Sequence, residues 1–338
     1  MAKHKSFRRM MLKRSINVFI TIFGIITLNF FLIHFMPGDP IHNMIPRDPK
    51  FNPQIKWDLI EKFHLNDTLS EAYVTYIKNT FTGDWGLSYM ENRPVLDIIL
   101  QDMKWTVLLV GTSTVMILAI GIAVGAYSAY RRGGAFDLVS TGSGLFFYGM
   151  PIFWFALILQ ISFNTELFGM AWWPNLPAGG YYDTINLGSK FEWRLDIILS
   201  VMKHLILPSA TLAIGSFAGV ALLMRSSLTD VMTEDFIMTA KAKGLTDLQV
   251  LSRHALRNGM PPMVALIAMS IAGIIGGAYQ VEIIFNYKGI GYRTLDAIES
   301  RDFPILQFIV VIGGVAVVIA NFLSDILLIY IDPRVKIG

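Results

Sequence analysis

The chain has 338 residues, 54% hydrophobic and 16% charged, against about 25% charged in an ordinary soluble domain, so a water-soluble array of domains is excluded and lipid is required. With no cysteine, disulfide scaffolds, thiolate metal sites and thiol nucleophiles are excluded as well. The net charge of +3 comes without one continuous basic stripe, which argues against a nucleic-acid partner.

Residues 1–14 carry Lys3, Lys5, Arg8, Arg9, Lys13 and Arg14 and no acid, the mark of a cytoplasmic start. The apolar run Ile16 to Met36 predicts a first transmembrane helix over 15–36, stopped by Pro37-Gly-Asp-Pro40, where two prolines lack the amide donor. No small-residue cleavage pattern comes after it, so this reads as an uncleaved span rather than a secretory signal. Residues 37–104 form an outer segment too long for a turn. Trp57, Leu59, Ile60, Phe63 and Leu65, then Tyr73, Tyr76, Ile77 and Phe81, recur there at helical spacing, predicting short amphipathic helices on the outer surface.

Five further runs fill 105–331: Trp105 to Tyr130, Leu138 to Phe163 with Pro151 inside, Leu205 to Met224, Met263 to Phe285, and Ile305 to Ile331. Each is long enough at 1.5 Å per residue to cross about 30 Å of hydrocarbon. The expectation is all-α, with six spans and a tail at 332–338. The segments placed inside (1–14, 131–137, 225–260, 332–338) hold 15 basic and 6 acidic residues. The outer ones (37–104, 165–203, 285–304, with Glu282) hold 13 basic and 18 acidic. This asymmetry puts both termini in the cytoplasm.

Trp172, Trp173, Pro174, Pro177, Tyr181 and Tyr182 in the second outer segment read as headgroup-level anchors. Glycines four apart at Gly121/Gly125, Gly215/Gly219 and Gly273/Gly277 predict close helix approach. Asp325 is a carboxylate among apolar neighbours with Asn321 one turn earlier; the pair orients the last helix or serves the transport path. His34 and His204, near span ends, read as structural. No His-Glu-x-x-His, no phosphate loop and no nucleophile with a positioned base is present, so the chain is not expected to be an enzyme or to hydrolyse ATP.

The inner segment between the fourth and fifth runs reads Asp235-Phe-Ile, then Thr239-Ala-Lys-Ala-Lys-Gly244, then Leu245 to Asn258. Alanines favour helix, Gly244 permits a sharp turn, and Thr246 or Asp247 can cap the second helix. Two short helices around a glycine bend are predicted. They serve as a plain connector or as a docking element for a cytoplasmic partner.

Taken in order, Pro37-Gly-Asp-Pro40, Gly83-Asp-Trp-Gly-Leu-Ser88, Pro151, Arg225-Ser-Ser227, Asp235 to Gly244 and His254-Ala-Leu-Arg-Asn258 resemble one known family. Gly276-Gly277 with Glu282 and Phe285, Gly289-Ile-Gly291, Asp296-Ala297, Arg301-Asp-Phe-Pro304, Asn321 to Asp325 and Asp332-Pro-Arg334 continue the likeness. The family is the inner-membrane permease subunits of ATP-binding-cassette importers, in the group handling dipeptides and oligopeptides. The resemblance implies a cell-membrane subunit of a prokaryote that works with a second homologous permease, two cytoplasmic ATPases and an external solute-binding protein. It implies no cofactor on this chain, ATP and magnesium being held by the ATPases, and alternating access as the mechanism. It assigns coupling to the ATPase to Asp235, Ala240, Lys241, Lys243, Gly244, His254, Arg257 and Asn258. Translocation or gating falls to Pro151, Gly276, Gly277, Glu282, Asn321 and Asp325. Where the general motif has a glutamate six positions before the glycine and two alanines after it, this chain has Met238, Thr239 and Ala240, so charge there falls to Lys241 and Lys243. Relatives of the group carry oligosaccharides or nickel complexes, which leaves the solute open with peptide the leading reading; a self-sufficient channel or ion-driven transporter and an intramembrane enzyme are the readings from other classes.

Overall fold

The structure, a computed structural model, describes residues 2–36, 67–163, 176–183 and 194–331, and every regular element among them is helical. The features expected at Pro37 to Pro40, Trp57 to Leu65, Trp172 to Pro174 and in the tail 332–338 lie outside these residues. Among the described residues four helices are long and apolar enough to cross a membrane: Leu12–His34 within α1 (Ala2–His34), α3 (Val95–Tyr130), α6 (Leu195–Val231), and Phe303–Ile326 within the last helix. Between α1 and α3 lies α2 (Leu69–Thr82), started by a capping box in which Thr68 and Glu71 satisfy each other's backbone amides.

The run 138–163 is two helices, α4 (Ala135–Gly149) and α5 (Ile152–Phe163), bent by 100°. Pro151 explains the bend. Its ring disfavours the helical region for the residue before it, and Met150 is extended at φ −74°, ψ 136°. Pro208, inside α6, leaves that helix continuous.

The run 263–285 is also not one helix. After α7 (Asp235–Ala242), α8 (Asp247–Val250), a π turn at Leu251–Ala255 and α9 (Leu256–Gly259), α10 (Pro261–Gly276) ends at Gly277 with φ +75°. A new short helix, α11 (Tyr279–Ile284), then starts. Apolarity marks what lipid or core accepts; it says nothing about backbone dihedrals, and a glycine at φ +75°, ψ 169° ends the ladder inside an apolar run. α12 (Ile290–Ser300) and α13 (Phe303–Ile331) complete the described chain.

The most extensive helix pair is α3 with α6. A Cβ on Gly121 would stand 2.5 Å from Val220 Cβ and 2.9 Å from the Phe217 carbonyl, and one on Gly125 would meet the Ala221 carbonyl and stand 2.8 Å from Met224 Cβ. This glycine pair therefore lets two backbones touch. The other pairs do not act as pairs: the nearest atoms to a Cβ on Gly215 or Gly219 lie at ordinary contact, 3.7 Å, and none stands within 4 Å of one on Gly273, whereas Gly277, at a helix break, lets the Gly291 amide come within 2.8 Å of where its Cβ would be.

α13 packs between α10 and α1. In the C-terminal half of α1, buried Asn29 donates to the Gln307 carbonyl at 3.1 Å and to Tyr76 Oη at 3.0 Å, while Thr27 and Tyr73 hydroxyls lie 2.9 Å apart. The rings of Tyr73 and Tyr76 rest on Phe30 at 5.2 and 5.4 Å. The aromatic face of α2 thus packs on α1.

Candidate functional site

The segment 235–259 folds as two short helices about Gly244, whose φ of +82° favours glycine and around which a Cβ would meet nothing. Thr246 accepts from the Gln249 amide and Gln249 reaches back to the Thr246 amide, so the second helix starts in a capping box. A π turn comes next, with the Leu256 amide bonding the Leu251 carbonyl. Asn258 Nδ2 donates to the His254 carbonyl at 2.8 Å.

Packing divides the expected coupling residues. Ala240 is buried with Ile237, Val250, Leu251 and Ala255 against Met224 and Leu228 of α6, so its close packing is with its own chain rather than with a foreign groove. Asp235, Lys241, Lys243, Gly244, Arg257 and Asn258 are exposed and His254 half-buried. Lys241 pairs across the bend with Asp247 at 3.1 Å, which ties the two short helices together beside exposed Lys243. Met238 is 66% exposed, with Phe236 and Leu248 also exposed.

At the other end of the core stands Glu282, fully buried. Oε1 accepts from Thr106 Oγ1 at 3.0 Å and the Ala278 amide at 3.2 Å, and Oε2 from the Tyr292 amide at 2.9 Å. Thr106 Oγ1 itself accepts from the Ile290 amide at 2.7 Å, so its proton points to the carboxylate. All three of these partners are donors, so the carboxyl group is held as an acceptor on both of its oxygens. Gly289 and Gly291 leave room for this arrangement: a Cβ on Gly289 would stand 2.7 Å from Glu282 Oε2, and one on Gly291 2.5 Å from Tyr279 Cα. Glu282 thereby joins α11, the start of α12 and α3. Gly276 and Gly277 lie at the α10 break beside it, while Pro151 sits at the α4–α5 bend.

Asp325 faces a partner the sequence did not name. Arg14 Nη1 lies 2.5 Å from its Oδ2, and Asn321 is exposed, so the ion pair rather than the Asn321 neighbour ties α13 to α1. Asp325→Leu strands the Arg14 guanidinium and should cost about 1–3 kcal/mol of thermal stability in detergent. Adding Arg14→Leu should recover most of it, a coupling that a double-mutant cycle reads directly.

Residues 121–337 match the family described as "Binding-protein-dependent transport system inner membrane component". The chain belongs to this family. Relatives include the oligopeptide transport system permease protein AppB of Bacillus subtilis (strain 168), 34% identical over 326 residues, which cover 96% of this chain and 98% of that protein. The dipeptide transport system permease protein DppB of Escherichia coli (strain K12) is 31% identical over 329 residues, 94% and 95% of the two chains. A solved inward-facing MetNI methionine ABC transporter is similar in fold, with a TM-score of 0.53 at 14% identity over 70% of this chain and 97% of that one.

The span matched to this inner-membrane component family holds the glycine bend, the α10 break and Glu282. Sequence reasoning passes over several of the polar residues that hold these parts together. Asp137 receives Arg225 Nε at 2.6 Å and Nη2 at 2.8 Å, with the Gly133 amide at 2.8 Å, fixing the start of α4 to α6. Asp302 accepts from Ser88 Oγ at 2.5 Å and from the Tyr89 and Met90 amides at 3.1 and 3.3 Å, so two stretches of the resemblance, Gly83 to Ser88 and Arg301 to Pro304, meet in space. Arg293 bridges Asp102 at 2.6 Å and Glu91 at 2.7 Å. The signal in the sequence is the presence of opposite charges in separate stretches, and only contact pairs them.

Proposed function

We propose that this chain is one permease subunit of an ATP-driven importer that moves dipeptides or oligopeptides delivered by an external solute-binding protein. The observation that carries the reading is the near full-length similarity, at 31–34% identity, to permease proteins named for dipeptide and oligopeptide transport. In this reading six segments cross the membrane, with α4–α5 and α10–α11 as broken spans, both termini are cytoplasmic, and residues 37–104 lie outside near the binding-protein dock. A second homologous permease completes the path, and two ATPase subunits hold ATP and magnesium. Motion passes from them through the segment 235–258, where the bend at Gly244 sets the direction of the exposed surface.

Uptake by the reconstituted complex tests the solute: saturable peptide uptake with no oligosaccharide uptake is expected, and the reverse would reassign the substrate. Coupling is tested at the bend. Gly244→Val meets no steric neighbour yet must abandon φ +82°. The bundle should fold while ATP-driven uptake and solute-stimulated ATP hydrolysis fall together by tenfold or more, about the 1–3 kcal/mol of such a strained position. Normal ATPase affinity with normal uptake would return the segment to a connector.

A further inference from the structure

The apolar face that α1 leaves uncovered is continued, in helix register, by positions that the sequence fills with basic residues. Leu12, Ile16, Phe19 and Ile20 are 64%, 50%, 61% and 61% exposed, and in a chain with spans of this kind such a face meets acyl chains. The helix is continuous from Ala2 to His34, so it extends beyond the apolar window that opens at Leu12. Residues spaced by three and four share a helix face, which places positions 5, 9 and 13 in register with 16 and 20. Those positions are Lys5, Arg9 and Lys13, and Lys13 is exposed. Arg14, about 100° round the helix from Lys13, turns instead to Asp325 of α13. That ion pair therefore lies off the row. We infer that Lys5, Arg9 and Lys13 form a binding stripe for anionic phospholipid headgroups at the end of α1. A lipid whose tails lie along Leu12, Ile16 and Ile20 brings its phosphate to the level of the next cations on the same face. The helix, being an extension of the span, holds them at that depth without the ordering cost of a free tail. Juxtamembrane cations gain about 1 kcal/mol each near an anionic surface, roughly fivefold per charge.

The test uses the assembled complex in nanodiscs of phosphatidylcholine mixed with phosphatidylglycerol, extracted gently and weighed intact by native mass spectrometry to count retained lipids. Lys3 and Arg8 stay in place to keep the orientation. The native chain should retain phosphatidylglycerol over phosphatidylcholine, and Lys5→Gln/Arg9→Gln/Lys13→Gln should lose this enrichment by roughly fivefold per charge at low salt. Lys5→Arg/Arg9→Lys/Lys13→Arg should keep it, and added salt should weaken it in the native complex. Unchanged enrichment in the glutamine variant would overturn the inference and leave the cations as determinants of orientation alone. Loss of the second permease from the glutamine complex would overturn it too, by making the stripe a protein contact. If the glutamine chain fails to insert, the salt titration of the native complex decides, and enrichment insensitive to salt counts against the stripe.

Discussion

Gly125→Leu is expected to abolish folded protein. The α3–α6 contact places the Ala221 carbonyl and Met224 Cβ, 2.8 Å away, where a side chain at position 125 would begin. The obstacles are backbone and the root of a side chain, which no rotamer change removes. Even Gly125→Ala should cost about 3 kcal/mol, at the upper end for overpacking, while Gly215→Ala, whose nearest neighbour is the Ile152 side chain at 3.7 Å, should be neutral or gain up to about 1 kcal/mol from helix propensity. Size-exclusion profiles and thermal unfolding in detergent give the comparison. Equal tolerance at both positions would show that the two helices separate at low cost and that the contact does not hold the core.

Glu282→Gln should be nearly as damaging although it preserves volume. The carboxylate accepts from Thr106, Ala278 and Tyr292, and an amide must turn its NH2 toward at least one of these donors. A buried donor loses its acceptor and a second donor is brought against it, for a loss of about 3 kcal/mol. Thr106→Val should cost less, about 1–2 kcal/mol, because it removes one donor to the carboxylate and leaves the Ile290 amide unpaired. Thermal unfolding of the two single variants and the double should reveal strong coupling. Additive effects would mean that Glu282 and Thr106 do not act as one unit joining α3, α11 and α12.

The helical class and the membrane were legible because they rest on composition and on runs of apolar residues, properties that survive averaging over many positions. So was the local chemistry of the segment 235–258: a glycine bend leading to a Thr246 cap depends on neighbours in sequence, and both are present. The order of motifs carried the family through to the matched region and the relatives. Three matters needed the tertiary structure. Continuity of an apolar run did not reveal the 100° bend after Met150 or the positive φ of Gly277, since hydropathy is blind to backbone dihedrals. Spacing alone made three glycine pairs equivalent, but only Gly121/Gly125 needs both its glycines, for the α3–α6 contact; of the other four, Gly277 alone meets backbone that close, at the Gly291 amide. Finally, charge partners cannot be read along the chain: sequence proximity pairs Asp325 with Asn321, yet an antiparallel packing of α1 on α13 brings Arg14, from the opposite end of the sequence, to 2.5 Å. The sequence by itself determined which segments leave water and where local turns form; the tertiary structure decided which polar groups meet, because pairing at a few ångströms is set by helix packing and not by separation along the chain.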